Sequence, residues 1–214
     1  MHNLTDCTVV GIIGNVGVGK TTVAHYLRSK YDFVIFNISD ELKLTLHWWF
    51  DIPLDVLLGP SEKKSARIRQ MMQHLGTDFG RAYNPDVWTV LLYRRINEYL
   101  RTGIDPLHLA PVHIPQPRQA PRIVIPDVRF PNEATLVTAQ LKGTLLRLTK
   151  QNPTTSTDMT AAHRTHLSET ALNDIDPALI NHTISNDGDP LDLEKKLAEI
   201  FVGLNQPPTP ACSW

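Results

Sequence analysis

Residues 14–21 combine three glycines, a lysine and a threonine at a spacing suited to binding phosphate groups. They read Gly-Asn-Val-Gly-Val-Gly-Lys-Thr and fit the pattern G-x-x-x-x-G-K-[ST] at every fixed position. Glycines let backbone N–H groups turn inward around an anion, and a following helix N-terminus adds partial positive charge. The simpler alternative is a glycine-rich turn with an exposed lysine, which the strand and helix predicted on either side disfavour.

The pattern therefore predicts a phosphate-binding loop (P-loop) for ATP or GTP. In such a loop the lysine contacts the β- and γ-phosphates, and the threonine hydroxyl is a ligand of Mg²⁺. The residues assigned to the nucleotide are Gly14, Asn15, Val16, Gly17, Val18, Gly19, Lys20, Thr21 and Thr22. A P-loop identifies the nucleotide but leaves the reaction open.

A second group of polar residues follows an apolar segment, Ile123–Ile125. Asp127 follows this predicted strand after one proline, at the strand end where α/β sheets place ligands. It is predicted to hold Mg²⁺ or to accept a hydrogen bond from a substrate hydroxyl; a loop or helix-capping aspartate is the alternative. Arg129 carries a fork suited to a phosphate, and Glu133 lies one helical turn beyond it. An Arg129–Glu133 ion pair is a further interpretation, compatible with the first.

Five residues in the helical region after the second strand could recognise a nucleoside monophosphate. Lys43, Arg69 and Arg81 supply cations for a phosphate, while Gln73 and Trp88 supply an amide and an indole for a planar base. Each has a simpler alternative: Trp88 as a core residue, for example, or Arg69 as a solvated surface residue. Their grouping, on a chain without overall basic excess, favours a substrate site.

Two later segments complete the candidate site. The polar segment 150–165 carries Lys150 and Arg164 and predicts a mobile flap whose cation covers the transferring phosphate. Asn186, with the Asp-Gly that follows it, predicts either a turn or a loop at the adenine edge.

Composition excludes several classes of protein. The 214 residues are 42% hydrophobic and 20% charged, with net charge −1 and pI near 6.7, so tight sequence-independent binding to duplex nucleic acid is not expected. No apolar run reaches the 18 residues of a membrane span, and no signal segment follows Met1. With Cys7 and Cys212 as its two cysteines, the chain is predicted to lack a disulfide framework and to act in a reducing cytoplasm.

Strand and helix patterns alternate along the chain, which predicts a three-layer α/β fold with a mainly parallel five-stranded sheet. Strands are predicted at 8–13, 33–38, 122–125, 144–149 and 182–185, and helices at 20–30, 40–49, 61–75, 84–101, 132–142 and 189–202. A break is expected at 51–60. Residues 105–121 contain five prolines in seventeen positions and predict an exposed or disordered insertion.

Several stretches, in the same order along the chain, resemble the bacteriophage deoxynucleoside monophosphate kinases, P-loop relatives of adenylate kinase and dephospho-coenzyme A kinase. The matching stretches are GNVGVGKT (14–21), SDELK (39–43), RQMMQHLGTDFGR (69–81), NPDVW (84–88), IPDVRFPNEA (125–134), HLSE (166–169) and NDG (186–188). The family transfers the ATP γ-phosphate to a deoxynucleoside 5′-monophosphate with Mg²⁺. The resemblance thus implies a single P-loop kinase domain over 1–204, with substrate-binding helices at about 40–101, a lid at about 150–168 and a loose tail at 205–214.

The resemblance also implies roles for residues. The monophosphate and base site would contain Lys43, Arg69, Gln73, Arg81, Trp88, Asp127, Arg129 and Glu133. The reaction centre would contain Lys20, Asp127, Arg129 and the lid residue Arg164, with Asn186 near adenine and Mg²⁺ held by Thr21 and Asp127. The lid is not matched residue by residue, so Lys150 or Arg147 could replace Arg164.

The expected partners are small-molecule nucleotides, with no polymeric nucleic acid and no membrane; the oligomeric state, a homodimer included, stays open. Two alternatives remain at this point. One is another small-molecule P-loop kinase, such as one acting on dephospho-coenzyme A. The other is a nucleotide-dependent switch without a phosphate acceptor.

Overall fold

Five strands form one sheet in which every pairing is parallel. The computed structural model describes residues 7–59, 64–107, 121–151 and 170–202. The strands are β1 (Thr8–Ile13), β2 (Val34–Ile35), β3 (Arg122–Ile125), β4 (Thr144–Thr149) and β5 (His182–Ser185), in the order β2-β3-β1-β4-β5. The central strand β1 pairs with β3, where Val9 lies opposite Ile123, and with β4, where Ile12 lies opposite Leu146.

Helices connect the strands. They are α1 (Lys20–Tyr31), α2 (Asp40–Phe50), α3 (Leu54–Leu58), α4 (Ala66–Gln73), α5 (Val87–Thr102), α6 (Pro131–Thr135) and α7 (Pro190–Ile200). Two of them continue as π-helical turns, α4 over His74–Arg81 and α6 over Leu136–Gln140. No helix within the described ranges is long and apolar enough to cross a membrane.

The sheet has a hydrophobic core on each face, because successive side chains of a strand point to opposite sides. Val10 and Ile12 of β1 are buried in one cluster with Leu27 of α1, and α7 joins the same side. Val9 and Ile13 belong to the other cluster, which includes side chains of α2, α5 and α6. The predicted three-layer P-loop fold with a five-stranded sheet is therefore confirmed.

The second strand is shorter than the predicted 33–38. Regular strand ends at Ile35, although the backbone N–H of Phe36 still donates to the carbonyl of Val124 at 2.9 Å. Asn37 then turns the chain, since its backbone and side-chain N–H groups both donate to the carboxylate of Asp40. This local hydrogen bonding ends the strand and starts α2.

The helical region after residue 50 also differs from the prediction. The expected break at 51–60 contains a short helix, α3. The helix predicted from 61 begins at Ala66, where the Ser65 hydroxyl accepts the N–H of Ile68. The helix predicted from 84 begins at Val87, because the Asn84 side chain accepts the N–H of Asp86 in a turn instead of capping the helix.

Three predicted features lie largely or wholly outside the described residues. They are the proline-rich insertion at 105–121, the lid at about 150–168, which contains Arg164, and the tail at 205–214.

Gly11 is required by close packing of the sheet against the segment after α6. A Cβ atom at this position would lie 2.9 Å from Cγ2 of Val137. We expect Gly11→Ala to lower the free energy of unfolding by about 1–3 kcal/mol through overpacking, measured by urea denaturation. Val137→Ala removes the clashing methyl groups, so the double variant should lose less than the sum of the two single losses. Additive losses would contradict the packing explanation.

Candidate functional site

The P-loop connects the end of β1 to the start of α1. Gly14, Gly17 and Gly19 have positive φ angles of 149°, 81° and 99°, a backbone conformation that side chains disfavour. A Cβ at Gly14 would also lie 2.6 Å from the carbonyl oxygen of Leu148. The glycines at these motif positions therefore serve the turn itself as well as the approach of a ligand.

The side chain of Lys20 lies over this loop. Its Nζ donates to the carbonyl oxygens of Gly14 at 2.6 Å and Asn15 at 2.8 Å. Thr21 and Thr22 are exposed in the first turn of α1, where a helix N-terminus attracts anions. Charge and backbone geometry thus agree with the phosphate site predicted from the motif.

Asn186, which follows β5, forms a hydrogen bond to the same loop. Its Nδ2 donates to the carbonyl oxygen of Val18 at 2.8 Å and would lie 2.5 Å from a Cβ atom at Gly19. The structure thus gives Asn186 a contact with the P-loop backbone, and its proximity to adenine stays a prediction.

A cavity of about 260 Å³ opens beside the P-loop, with Val16 of the loop in its wall. The residues predicted for the substrate site all line it: Lys43, Arg69, Gln73, Arg81, Trp88, Asp127, Arg129 and Glu133. They come from α2, from α4 and the π-helical turn that continues it, from α5, and from the segment after β3 that leads into α6. Tertiary folding thus brings four separate chain segments to one cavity.

The cavity wall is basic although the chain as a whole is slightly acidic. Five basic side chains line it, against the two carboxylates of Asp127 and Glu133. Both carboxylates are engaged by donors of the protein itself, as described below. The remaining positive charge suits a phosphate-bearing ligand.

Asp127 joins the end of β3 to the start of α2. Its Oδ1 accepts the backbone N–H of Ile38 at 2.8 Å, and its Oδ2 accepts that of Ser39 at 3.0 Å. The loop-aspartate alternative from the sequence is thus observed. Each carboxylate oxygen has further lone-pair capacity, so a ligand role remains compatible with these bonds and stays a prediction.

Glu133 is buried and contacts two arginines. It accepts the backbone N–H of Arg129 at 2.6 Å and that of Phe130 at 3.0 Å, and it forms an ion pair with Arg81. Arg81 also stacks 3.8 Å above the ring of Phe130. Burial raises the pKa of Glu133, while Arg81 and the two N–H groups act in the opposite direction.

The ion pair of Glu133 therefore differs from the one anticipated in the sequence. Its cation is Arg81, from a segment about fifty residues earlier, and Arg129 contributes its backbone N–H. The geometry makes Glu133 a residue that orients Arg81 and the Arg129 backbone, and direct contact with substrate stays a prediction.

Trp88 is both a core residue and part of the cavity wall. Its side chain is 9% exposed, and its indole N–H donates to the carbonyl of Gly76 at 2.7 Å. Gly80 faces the indole ring, where a Cβ would lie 2.8 Å from Cζ2. Since the N–H is used within the protein, Trp88 can offer a ligand an apolar ring surface.

Sequence reasoning missed eight residues of the cavity wall: Ile38, Ser39, Leu42, Lys64, Met72, Gly76, Thr77 and Phe130. Lys64 is 8% exposed, and its carbonyl oxygen accepts two hydrogen bonds from Arg69, at 2.6 and 3.0 Å. Its positive charge, close in sequence to Arg69, was the available signal. Thr77 and Phe130 lie in the stretches 69–81 and 125–134 that carry the family resemblance, but neither side chain by itself indicates a ligand contact.

The residues assigned to Mg²⁺ provide oxygen donors, the type this ion prefers. Among the described residues, no group of three or more His, Cys, Asp or Glu side chains could hold a metal ion. A magnesium ion bound mainly by substrate phosphates needs one or two protein ligands. The hydroxyl of Thr21 and the carboxylate of Asp127 fit that kind of site.

Comparison with known proteins supports the resemblance seen in the motifs. No protein-family model matches the chain. A protein of Acanthamoeba polyphaga mimivirus named "Putative deoxynucleotide monophosphate kinase" is 28% identical over 185 residues, which cover 81% of this chain and 88% of that protein. The predicted similarity to deoxynucleoside monophosphate kinases is thereby confirmed.

Two solved kinase structures show a loose overall likeness to this chain. Shikimate kinase from Acinetobacter baumannii in complex with shikimate has a TM-score of 0.45 and 11% identity, with 94% of this chain and 96% of that chain covered. Dephospho-CoA kinase from Campylobacter jejuni has a TM-score of 0.43 and 13% identity, with 93% and 98% covered. The fold assignment itself rests on the strand order and the P-loop of this chain.

The Arg81–Glu133 pair provides a test of how the cavity wall is held. Arg81→Met leaves the buried carboxylate without its cation, so we expect a loss of about 3–5 kcal/mol in the free energy of unfolding, measured by urea denaturation. Arg94→Met, on the exposed side of α5, is the matched control and should change it by less than about 0.5 kcal/mol. Adding Glu133→Gln to Arg81→Met should recover part of the loss; no recovery would show that the two side chains act independently.

Proposed function

We propose that the protein is a deoxynucleoside monophosphate kinase that catalyses ATP + dNMP → ADP + dNDP. The observation that carries the proposal is the basic cavity beside the P-loop, because it offers a second phosphate-binding site next to the triphosphate site. The mimivirus relative supports the choice of a nucleotide as the acceptor. Such a product is a precursor for DNA synthesis, and the similarity to the mimivirus protein supports a role in viral precursor supply in a host cytoplasm.

In the proposed reaction an oxygen of the acceptor monophosphate attacks the γ-phosphorus of ATP, and the bond to the β–γ bridging oxygen breaks as ADP leaves. This chemistry needs positioning and charge neutralisation, and no covalent intermediate with a side chain. Mg²⁺, when bound, neutralises phosphate oxygens. Lys20 and Arg129 are proposed to bind the oxygens of the transferring group, with Arg164 as the lid cation.

The acceptor would lie in the cavity with its phosphate toward the basic side chains. Lys43, Arg69 and Arg81 are proposed to bind that phosphate, and Gln73 and Trp88 to contact the base. Arg81 is held in place for this role by Glu133 and by the ring of Phe130. A preorganised cation costs less side-chain entropy when the anion arrives.

The decisive experiment measures ADP release with Mg-ATP and each of dAMP, dGMP, dCMP, dTMP and dUMP, with a no-acceptor control and a dephospho-coenzyme A arm. We expect at least one dNMP to raise turnover well above the control. Stimulation by dephospho-coenzyme A alone would identify the other small-molecule kinase. Equal slow release in every arm would contradict the kinase proposal and favour a nucleotide-dependent switch.

Lys20→Ala tests the P-loop. Removing the ammonium should lower kcat by about two to three orders of magnitude, as for the loss of a preorganised charge at the reacting group. Lys30→Ala, an exposed lysine near the end of the same helix, is the control and should keep normal turnover. Near-normal activity of Lys20→Ala would overturn the assignment of this loop to the triphosphate.

A further inference from the structure

A buried arginine outside the cavity wall connects two acidic residues. Arg95 of α5 is 3% exposed, and its Nε and Nη2 donate to the two oxygens of Asp105, at 2.6 and 2.7 Å. Its Nη1 donates to Oδ2 of Asp40 at 2.9 Å. The guanidinium also lies 4.8 Å from the ring centroid of Phe36, so packing and hydrogen bonds both restrict its position.

The same chain of contacts reaches the proposed acceptor site. Asp40, the first residue of α2, uses its Oδ1 to accept a hydrogen bond from Nζ of Lys43 at 3.2 Å, and Lys43 lines the cavity. The side chains of Asp40 and Lys43 are 3% and 12% exposed. The order Asp105–Arg95–Asp40–Lys43 therefore alternates negative and positive groups from the end of α5 to the cavity.

The alternation determines how much positive charge Lys43 can offer to a phosphate. Although burial lowers the pKa of Arg95, the hydrogen bonds and charges of Asp105 and Asp40 outweigh it, so the pKa is raised and the guanidinium stays charged. With Arg95 charged, Asp40 divides its negative charge between two cations. Without Arg95, Asp40 would neutralise Lys43 alone, and the field at the cavity would weaken.

The network also controls the position of Lys43. A lysine side chain has four rotatable bonds, and one carboxylate contact restricts it only if the carboxylate is itself held. Asp40 is held by Arg95 and by the N–H groups of Asn37, and Arg95 is held in turn by Asp105.

We propose that Arg95 and Asp105 are positioning residues for the acceptor monophosphate, acting through Asp40 on Lys43. This proposal rests on the proposed function, since it assigns the affected ligand as the phosphate acceptor. Neither residue lines the cavity, so their effect must be transmitted through Asp40.

The test compares Arg95→Met, Arg95→Lys and Asp105→Asn with the wild type, and uses Arg94→Met as the matched control. We expect Arg95→Met to raise KM for the best dNMP by about tenfold, the size expected for loss of a charged hydrogen bond, while KM for ATP changes less than about twofold. Arg95→Lys should restore part of the acceptor affinity because it returns a cation to Asp40. The control should leave both KM values unchanged.

A second comparison separates positioning from simple stabilisation. In a Lys43→Met background, Arg95→Met should add no further rise in KM for the dNMP, because the residue through which it acts is already gone. Additive effects, equal changes of the two KM values, or lowered thermal stability with unchanged KM values would overturn the proposal. Should Arg95→Met fail to fold, Asp105→Asn provides the same comparison. If no added acceptor stimulates ADP release by the wild-type protein, the proposed function itself is refuted.

Discussion

The parallel pairing of β1 with β3 and β4 is the constraint on which the rest of the structure depends. Parallel strands end at the same edge of a sheet, so the P-loop after β1 and Asp127 after β3 are brought to one side of the molecule. Asp127 then holds the backbone of Ile38 and Ser39, which sets the start of α2 beside the P-loop. The cavity lies where the P-loop, the start of α2 and the segment after β3 meet. The order of the strands in the sheet therefore decides which residues line it.

Buried charged side chains form ion pairs in two places near this cavity. Glu133 meets Arg81 and two backbone N–H groups, and Arg95 meets Asp40 and Asp105. A buried ion is costly unless its hydrogen-bonding capacity is met. The Arg81–Glu133 and Arg95–Asp40 pairs each join residues more than fifty positions apart in sequence. These two pairs therefore connect helices of the cavity wall to one another.

Much of the fold was predictable because its elements carry strong local signals. Four of the five strands match the predicted bounds, and the P-loop has a spacing that few other structures use. The second strand was overestimated because its ending depends on Asn37 and Asp40, whose side-chain hydrogen bonds are invisible to an apolar pattern. The π-helical turn His74–Arg81 was missed for a related reason: its contacts include the hydrogen bond from the indole N–H of Trp88 to the carbonyl of Gly76, which joins two helices and leaves no local pattern.

The sequence by itself determined which residue types could bind nucleotides and which elements carry them, since glycine conformation, strand patterning and helix signals are local properties. It also determined the set of substrate-site candidates, all of which line one cavity. Only the tertiary structure decided the partners of these residues: Arg81 rather than Arg129 as the cation of Glu133, backbone N–H groups as partners of Asp127, and the connection from Arg95 to Lys43. Ion pairs and hydrogen bonds form between groups that are close in space. For segments that are remote in sequence, only the tertiary structure shows which groups are close.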